Sequence, residues 1–286
     1  MTHAARSRAG SALSLLGQYG PWAVVTGASD GIGRAVATAL AGHGFGVVLV
    51  ARRAAALEDL ARSLEARNGV ATRVLAADLS LPDQAARVER ETRDIDVGLF
   101  FAAAGFGTSG PFVEAEIEYE LNMIDVNCRA LVQSTHAFAR RFVARGGGGI
   151  VLMSSLVAFQ GVPRAAAYAA TKAFVQTFAE GLARELKPLG VDVLASAPGP
   201  VKSGFGARAG MAIRSGQTPD EVVRATLPAL GRRTTVRPGL LAKGLEAALA
   251  ALPRALRVRA LERVMAGLTR DPANDVGAPG PAGGAA

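Results

Sequence analysis

The sequence is poor in residues that build covalent or metal frameworks. Its 286 residues include one cysteine, Cys128, and three histidines, His3, His43 and His136, which lie far apart. A single cysteine excludes an intramolecular disulfide framework and fits a reducing compartment. The histidines have no cysteine or carboxylate neighbours at ligand spacing, so we expect no metal site. Cys128 is interpreted as a small packing residue, because no activating base is apparent beside it.

Long apolar runs and aromatic side chains are also scarce. No run of about 18 apolar residues occurs, which argues against a transmembrane helix. Half of the chain is apolar, enough to bury a sizeable core. The net charge of +8 is concentrated between residues 231 and 270, which hold nine basic and two acidic residues. Because the main body has no basic stripe and few aromatics to stack on bases, we expect no nucleic-acid partner.

Short apolar runs alternate with helical patterns from residue 22 onward. The runs are predicted as strands at 23–26, 47–51, 73–77, 97–102, 150–154 and 191–196. Helical patterns cover 32–42, 54–67 and 168–187. Strands that are apolar on both faces and alternate with helices predict an α/β fold, with a single Rossmann-type doubly wound parallel sheet and helices on both faces.

The two ends of the chain differ from this body. Residues 1–20 are predicted as a flexible N-terminal arm, since the apolar patch at 9–17 is short for a signal peptide. The Rossmann-type domain is placed at 21–230, a basic helical C-terminal extension at 231–270, and a disordered tail rich in Pro, Gly and Ala at 271–286. The extension either packs its apolar face on the domain or binds anionic lipid.

A glycine-rich turn separates the first strand from the first helix. Residues 26–33 read Thr-Gly-Ala-Ser-Asp-Gly-Ile-Gly. Glycines allow positive φ and close backbone approach, and the helix N-terminus suits a pyrophosphate. A tight strand–helix connection can use glycines without any ligand, so the context carries the interpretation. The residues predicted to contact a dinucleotide are Gly27, Ser29, Asp30, Gly31, Ile32 and Gly33.

Two arginines, Arg52 and Arg53, end the second strand. A carboxylate at this position would bind the adenosine ribose hydroxyls of NAD and repel a 2′-phosphate. Guanidinium groups instead suit a 2′-phosphate through charge-assisted hydrogen bonds. The alternative is two solvated arginines that start a helix. The sequence therefore predicts NADP(H) as the preferred cofactor and leaves NAD(H) open.

A tyrosine and a lysine stand four residues apart at the start of the 168–187 helix. Tyr168 and Lys172 share one helical face, so both side chains can reach the same cavity. A tyrosine titrates near pH ~10, and a nearby cation would lower that pKa. Ser155, thirteen residues upstream at a strand end, could donate a hydrogen bond to a substrate carbonyl. The pair alone is common, and its combination with the serine and the glycine turn makes it specific.

These residues resemble the short-chain dehydrogenase/reductase family over roughly residues 22–205. The turn looks like the family's cofactor turn, and Ser155, Tyr168 and Lys172 match its catalytic trio. Residues 22–53 are similar to the hydroxysteroid dehydrogenase and long-chain 3-oxoacyl reductase branch, and 105–203 to bacterial members. Other matching cofactor or catalytic positions are Asp78, Leu79, Ala104, Gly105, Asn127, Pro198, Gly199, Val201 and Ser203.

The sequence departs from the family pattern at two places. The usual Asn-Asn-Ala-Gly segment reads Ala-Ala-Ala-Gly at 102–105, so side-chain hydrogen bonds that normally brace the sheet are expected to be missing. Asp30 stands in the turn where NADP-preferring members often carry a basic residue. Backbone approach to the cofactor is still expected, and NADP(H) stays the preferred cofactor.

The resemblance implies a reaction. Tyr168 would be the general acid in reduction and the base in oxidation, with Lys172 lowering its pKa and bonding the nicotinamide ribose. Ser155 would polarise the carbonyl, and Asn127 would position a water in a proton relay. The implied enzyme is an NADP(H)-dependent oxidoreductase that interconverts a ketone and a secondary alcohol on a fairly apolar small molecule by hydride transfer.

The resemblance also bears on the lid and the partners. Residues 204–219 match the family's substrate lid, where Phe205, Met211 and Ile213 either line an apolar pocket or are ordinary loop residues. By analogy, the protein is expected to be a cytoplasmic homodimer or homotetramer, with weak peripheral membrane association as a further option. Two rival functions are kept: a cofactor-binding regulatory or scaffold protein without turnover, and a membrane-surface interaction protein that acts through its basic end.

Overall fold

The computed structural model describes residues 14–213, 215–239, 244 and 252–268. Its described strands are β1 Trp22–Thr26, β2 Gly46–Ala51, β3 Thr72–Ala76, β4 Val97–Ala102, β5 Gly148–Met153, β6 Val191–Ser196 and β7 Thr235–Val236. Its described α-helices are α1 Leu15–Tyr19, α2 Gly31–Gly42, α3 Ala54–Asn68, α4 Gln84–Arg90, α5 Ile117–Ile124, α6 Leu131–Arg145, α7 Ala166–Leu186, α8 Phe205–Arg208, α9 Pro219–Thr226 and α10 Arg254–Leu268.

The strands form one parallel sheet in the order β3-β2-β1-β4-β5-β6-β7. From β1, the strands β2 and β3 therefore follow toward one edge of the sheet, and β4 to β7 follow toward the other edge. Crossovers on both sides of this reversal leave a crevice at the carboxyl ends of β1 and β4, where ligands of such sheets bind. The predicted Rossmann-type fold is confirmed.

Alternating side chains on the central strands pack into two apolar layers, one on each face of the sheet. On β1 and β2, Val25 and Leu49 pack into one layer with α2, α3 and α9, whereas Val24 and Val48 pack into the other with α4, α6 and α7. Successive residues of a strand face opposite sides of the sheet, so a strand buried between two helical layers must be apolar throughout. This explains why the sequence shows continuous apolar runs.

Strand β5 begins two residues earlier than the sequence predicted. Gly148 and Gly149 belong to the strand although glycines usually favour turns. A Cβ at Gly148 would lie 2.5 Å from the Phe142 ring, and one at Gly149 would lie 2.9 Å from Leu230. The neighbouring side chains thus fill the space that a β-forming residue would need.

The chain ends also differ in part from the prediction. Within the predicted arm, residues 15–19 form α1, and Tyr19 is buried with its hydroxyl donating to Asp192 at 2.7 Å. The predicted C-terminal helix is present as α10. Residues 1–13 of the arm and the whole predicted tail lie outside the described residues. Among the helices that the structure describes, none is long and apolar enough to cross a membrane.

Candidate active site

A cavity of about 770 Å³ opens at the carboxyl edge of the sheet, beside the β1–β4 crevice. The elements that follow β1, β2, β3, β4, β5 and β6 all contribute to its wall. It brings together positions that are up to 238 residues apart in the chain, from Gly27 to Met265. The predicted cofactor and catalytic residues that line it are Gly27, Ser29, Asp30, Gly31, Ile32, Gly33, Arg52, Arg53, Asp78, Leu79, Ala104, Gly105, Ser155, Tyr168, Lys172, Pro198, Gly199, Val201 and Ser203.

The glycine turn forms one end of this cavity. Gly27 has a φ of +70°, and a Cβ there would lie within 2.9 Å of the Ala103 and Ala104 main chain. A Cβ at Gly33 would collide with the carbonyl oxygen of Gly27. The side chain of Asp30 caps α2 by accepting from the Gly31 amide at 2.7 Å. The turn therefore brings bare backbone to the start of a helix, which suits a phosphate group.

The two arginines lie beside this turn. The Nη2 atom of Arg53 donates to the carbonyl and hydroxyl oxygens of Ser29 at 3.2 and 3.3 Å, linking the end of β2 to the turn. Arg52 and Arg53 are both exposed and line the cavity. Two guanidinium groups next to the turn fit a phosphate on the adenosine side of a dinucleotide.

Asp78 and Leu79 follow β3 at the same edge. The carboxylate of Asp78 accepts from the amide of Ser80 at 3.0 Å and from its hydroxyl at 2.8 Å, which fixes the loop. Leu79 is buried. Both residues line the cavity after β3, the strand next to β2, so their placement fits a contact with adenine.

The Ala-Ala-Ala-Gly edge has a brace that the sequence analysis missed. The hydroxyl of Thr26, the last residue of β1, accepts from the amide of Ala104 at 3.1 Å. A threonine on the neighbouring strand thus supplies one brace where alanines stand in place of the family's asparagines. The signal available in the sequence was a hydroxyl residue at the end of β1, directly before the glycine turn.

The tyrosine and the lysine meet inside the cavity wall. Tyr168 and Lys172 lie one turn apart on α7, and both side chains are buried. The Nζ atom of Lys172 donates to the carbonyl oxygen of Met153 at 2.8 Å and lies 5.9 Å from the centroid of the Tyr168 ring. Ser155 follows β5 and caps the short 3₁₀-helix Leu156–Phe159. The predicted trio is thus assembled at one place.

Burial dominates the titration of this pair. It raises the pKa of Tyr168 to about 12, with the hydrogen bond from Ser155 acting in the opposite direction. It lowers the pKa of Lys172 to about 8. The net shift of the Tyr168 pKa is therefore upward, and the lowering by Lys172 stays a prediction. The physical reason for the net rise is that desolvation of the phenolate outweighs the hydrogen bond with Ser155.

Asn127 does not line the cavity and lies behind its wall. It belongs to the π-helix Asp125–Ala130 and is buried. Its amide donates to the carbonyl oxygen of Phe106 at 2.9 Å and to the hydroxyl of Thr171 at 3.0 Å, and its oxygen accepts from the Phe106 amide at 3.1 Å. The visible role of Asn127 is to hold the Phe106 main chain against α7.

Apolar side chains form the end of the cavity beyond Tyr168. The ring of Phe205 lies 5.5 Å from the Tyr168 ring, and Met211 and Ile213 also line the cavity. The lining interpretation of these lid residues is therefore confirmed. Leu261 and Met265 of α10 are buried in the same cluster, and Met265 reaches the cavity. This favours packing of the C-terminal helix on the domain.

The structure also bears on two further questions from the sequence, a metal site and the role of Cys128. Among the residues that the structure describes, no group of three or more His, Cys, Asp or Glu could hold a metal ion. Cys128 is half-buried, and burial raises the pKa of its thiol, with Lys172 acting in the opposite direction. A raised pKa keeps the thiol protonated and unreactive, which agrees with a packing role.

Comparison with known proteins decides the family. The family model described as short chain dehydrogenase matches residues 21–212. The chain belongs to this family. This short-chain dehydrogenase is 33% identical over 228 residues to the 7beta-hydroxysteroid dehydrogenase of Clostridium sardiniense, a match that covers 78% of the chain and 87% of the relative.

Two further similarities complete the comparison. The chain is 38% identical over 189 residues to the very-long-chain 3-oxoacyl-CoA reductase of Pyricularia oryzae, over 64% of the chain and 57% of that reductase, so it spans little more than half the reductase's length. It is also similar to the solved short-chain dehydrogenase from Sphingobium yanoikuyae in complex with NADPH, with a TM-score of 0.73 and 34% identity over 82% and 97% of the two chains. The protein is thus an NAD(P)-dependent oxidoreductase that acts on hydroxyl or keto groups.

Proposed function

We propose that this short-chain dehydrogenase interconverts a ketone and a secondary alcohol on a fairly apolar small molecule, with NADP(H) as its preferred cofactor. One observation carries the proposal: Tyr168, Ser155 and Lys172 line the same cavity as the glycine turn and the two arginines. A nucleotide at one end and an apolar substrate at the other would meet at the tyrosine. The NADPH complex of the Sphingobium yanoikuyae relative supports the choice of cofactor.

The residues present fit the cofactor. The glycine turn and the N-terminus of α2 would hold the pyrophosphate, and Arg52 and Arg53 would bind the 2′-phosphate. The adenine would lie near Asp78, and the segment 198–203 would border the nicotinamide. Bound there, the cofactor supplies or accepts the hydride. Every other task falls to the side chains of the chain itself.

The proton is assigned to Tyr168. Its raised pKa keeps the phenol protonated at neutral pH, so it is ready to donate to the developing alkoxide in the reduction. Ser155 would donate a hydrogen bond to the same oxygen and so stabilise its negative charge. In the oxidation, Tyr168 accepts the proton, which is favoured when the positive charges of Lys172 and an oxidised nicotinamide ring adjoin the phenolate.

Lys172 and Asn127 support this centre. The Nζ atom of Lys172 is anchored on Met153 and would bond the nicotinamide ribose with its remaining donors. Asn127 fixes the Phe106 main chain, which faces the substrate end. The water relay through Asn127 that the family resemblance implies stays a prediction.

The apolar substrate class follows from the walls beyond Tyr168. Phe106, Phe205, Met211, Ile213 and Met265 line this end, so an apolar skeleton would bury itself there. The names of the two relatives, a hydroxysteroid dehydrogenase and a long-chain acyl reductase, agree with bulky apolar substrates. A cytoplasmic homodimer or homotetramer stays the proposed state.

The test combines NADPH fluorescence titration with a panel of apolar ketones. We expect Tyr168→Phe to bind NADPH like the unaltered protein, because the ring is kept, and to lose at least about a hundredfold in kcat, the usual contribution of a general acid. Thr38→Val, which removes an exposed hydroxyl of α2 outside the cavity lining, is the control and should keep its activity. Cofactor binding without Tyr168-dependent turnover of any ketone would favour the scaffold function instead.

A further inference from the structure

A single arginine lies in the apolar end of the cavity. Arg208 is the last residue of α8, one turn after Phe205, and it lines the cavity. Its guanidinium carbon lies 4.4 Å from the centroid of the Phe106 ring, within reach of a cation–π interaction. The Phe106 ring is itself buried and lies 5.1 Å from the ring of Tyr119. The guanidinium group is therefore held on a fixed aromatic surface.

The other charged residues of the described lining have different tasks. Those at the nucleotide end adjoin the glycine turn or the ends of β2 and β3, and they are Asp30, Arg52, Arg53 and Asp78. Lys172 is buried and donates to the carbonyl oxygen of Met153. Within the described part of the chain, no carboxylate lies within ion-pair distance of Arg208. Among the described residues, the positive charge at the apolar end thus has no carboxylate partner.

Covering the Phe106 ring does not account for this arrangement by itself. Long basic side chains often shield apolar surface in this way. Yet the contact with the ring uses none of the N–H donors as hydrogen bonds to an oxygen, and a guanidinium can offer them in a fork that matches a carboxylate. Arg208 itself is exposed, so its guanidinium lies at the rim of the apolar end, where an anion can reach it from the cavity.

We propose that the substrate is an apolar ketone or alcohol that carries an anionic group remote from the reacting carbon, and that Arg208 binds this group. The inference rests on the proposed function and specifies its substrate class. Two sources have the required chemistry: a carboxylate on the substrate itself, or a phosphate of a thioester carrier. Arg208 would act as a specificity-determining residue and take no part in the hydride or proton transfer.

The test measures binding without turnover. Tyr168→Phe saturated with NADPH is titrated calorimetrically with a steroid ketone that bears a side-chain carboxylate and with a long-chain oxo fatty acid. Each compound is also used as its methyl ester, and the oxo fatty acid as its coenzyme A thioester. The same titrations are made after a further Arg208→Gln change, or after Arg224→Gln as a control that removes an exposed arginine outside the cavity lining.

We expect at least one free acid to bind roughly tenfold or more tightly than its ester, as for hydrogen bonds to charged groups. Arg208→Gln should abolish that difference and leave ester binding unchanged, whereas Arg224→Gln should preserve it. If the thioester alone depends on Arg208, the anion is a phosphate and the inference also holds. With a thioester whose binding does not depend on Arg208, equal binding of acid and ester or equal losses for both in Arg208→Gln would overturn it, and so would binding of none of the compounds.

The activity assay separates this inference from the proposed function. Turnover of the esters that depends on Tyr168, together with no effect specific to Arg208, would overturn the anionic substrate and keep the enzyme. An acid preference that depends on Arg208, without turnover of any ketone by the unaltered protein, would keep the anion site and overturn the proposed reaction.

Discussion

At the scale of single residues, the centre of the site is a pair of titratable groups whose pKa values burial shifts in opposite directions. Both Tyr168 and Lys172 are driven toward their neutral forms, the phenol by a raised pKa and the amine by a lowered one. Burying an ammonium group one helical turn from the proton donor costs folding free energy. This cost can be measured, because a shifted pKa makes stability depend on pH.

The first prediction concerns that dependence. Burial lowers the pKa of Lys172 from 10.5 to about 8. Between pH 8 and pH 10 the folded protein therefore releases a proton that the unfolded chain retains, so this residue's contribution makes stability rise with pH. Relative to Lys172→Met, the unaltered protein should gain about 2 kcal/mol in its free energy of unfolding across this window. Urea titrations at four pH values measure it.

A matched lysine variant and the single thiol of the chain, that of Cys128, bear on this interpretation of Lys172. Lys202→Met removes an exposed lysine and should show the same pH dependence as the unaltered protein. Burial raises the pKa of Cys128, so its thiol contributes the opposite slope. Because Lys172 lowers that pKa, the opposing slope is larger in Lys172→Met, which adds to the expected difference from the unaltered protein. If Lys172→Met and the unaltered protein change in parallel from pH 8 to pH 10, the buried-lysine account is wrong.

The second prediction concerns the two arginines. Replacing Arg52 and Arg53 together with alanine removes both guanidinium groups beside the turn, so the ratio of kcat/KM for NADPH to that for NADH should fall by roughly tenfold or more. Arg34→Ala removes an exposed arginine of α2 that does not line the cavity, and it should leave the ratio unchanged. A constant ratio in the double variant would refute their assignment to the 2′-phosphate.

At the scale of elements, α10 shows what a hydrophobic pattern can and cannot predict. The spacing of apolar residues predicted the helix, yet it could not tell packing from lipid binding, since both need one apolar face. The structure buries Leu261 and Met265 against the Tyr168 cluster and leaves Leu256 exposed. The partner of a helix face is a long-range property, and no local pattern in the sequence encodes it.

The third prediction tests this helix. Leu261→Ala combined with Met265→Ala deletes two buried side chains next to the substrate end, so we expect a loss of about 3 kcal/mol or more in the free energy of unfolding. The KM for bulky ketones should also rise. Leu256→Ala removes an exposed leucine from the same helix and should change stability by less than about 0.5 kcal/mol. Chemical denaturation and steady-state kinetics measure both effects. Similar stability losses in the two proteins would contradict the docking of α10.

Elsewhere, the predictable elements are those with local signals. The strands β4 and β6 begin and end at the predicted residues, because mostly apolar runs mark them, with Asp96 before the first and Pro198 shortly after the second. Strand β7 was not predicted, since its two residues, Thr235 and Val236, carry no periodicity. It exists because the edge of β6 offers backbone groups to pair with.

At the scale of the whole molecule, the sheet order converts distances along the chain into contacts. Gly27 and Lys172 are predictable as one site, because the segments that follow parallel strands meet at the same edge of the sheet. Arg208 and Met265 carry no motif, and they reach the cavity only through the packing of α8 and α10. The nucleotide end was therefore predictable from sequence, whereas the residues that select the substrate were mostly not.

The same convergence makes cofactor binding a property of the whole fold, which gives the last prediction. A ligand that binds only the folded state at a hundred times its Kd stabilises that state by about 2.7 kcal/mol. For a chain of this size, NADPH should therefore raise the Tm by roughly 5–10 °C, and NADH at the same concentration should raise it less. Differential scanning calorimetry measures the shift.

Two glycine variants separate this effect from general stability. Gly31 has a φ of +51°, and a Cβ there would lie 3.1 Å from Ser203, so Gly31→Ala should lower the Tm and shrink the NADPH shift. Gly181 lies within α7, and a Cβ there would meet no atom within 4 Å. Gly181→Ala should stabilise the folded protein by about 1 kcal/mol through helix propensity. Its Tm should therefore rise slightly, and the NADPH shift should stay full. A full NADPH shift in Gly31→Ala would mean that the turn does not hold the phosphates, because the added methyl group stands where the backbone has to approach them.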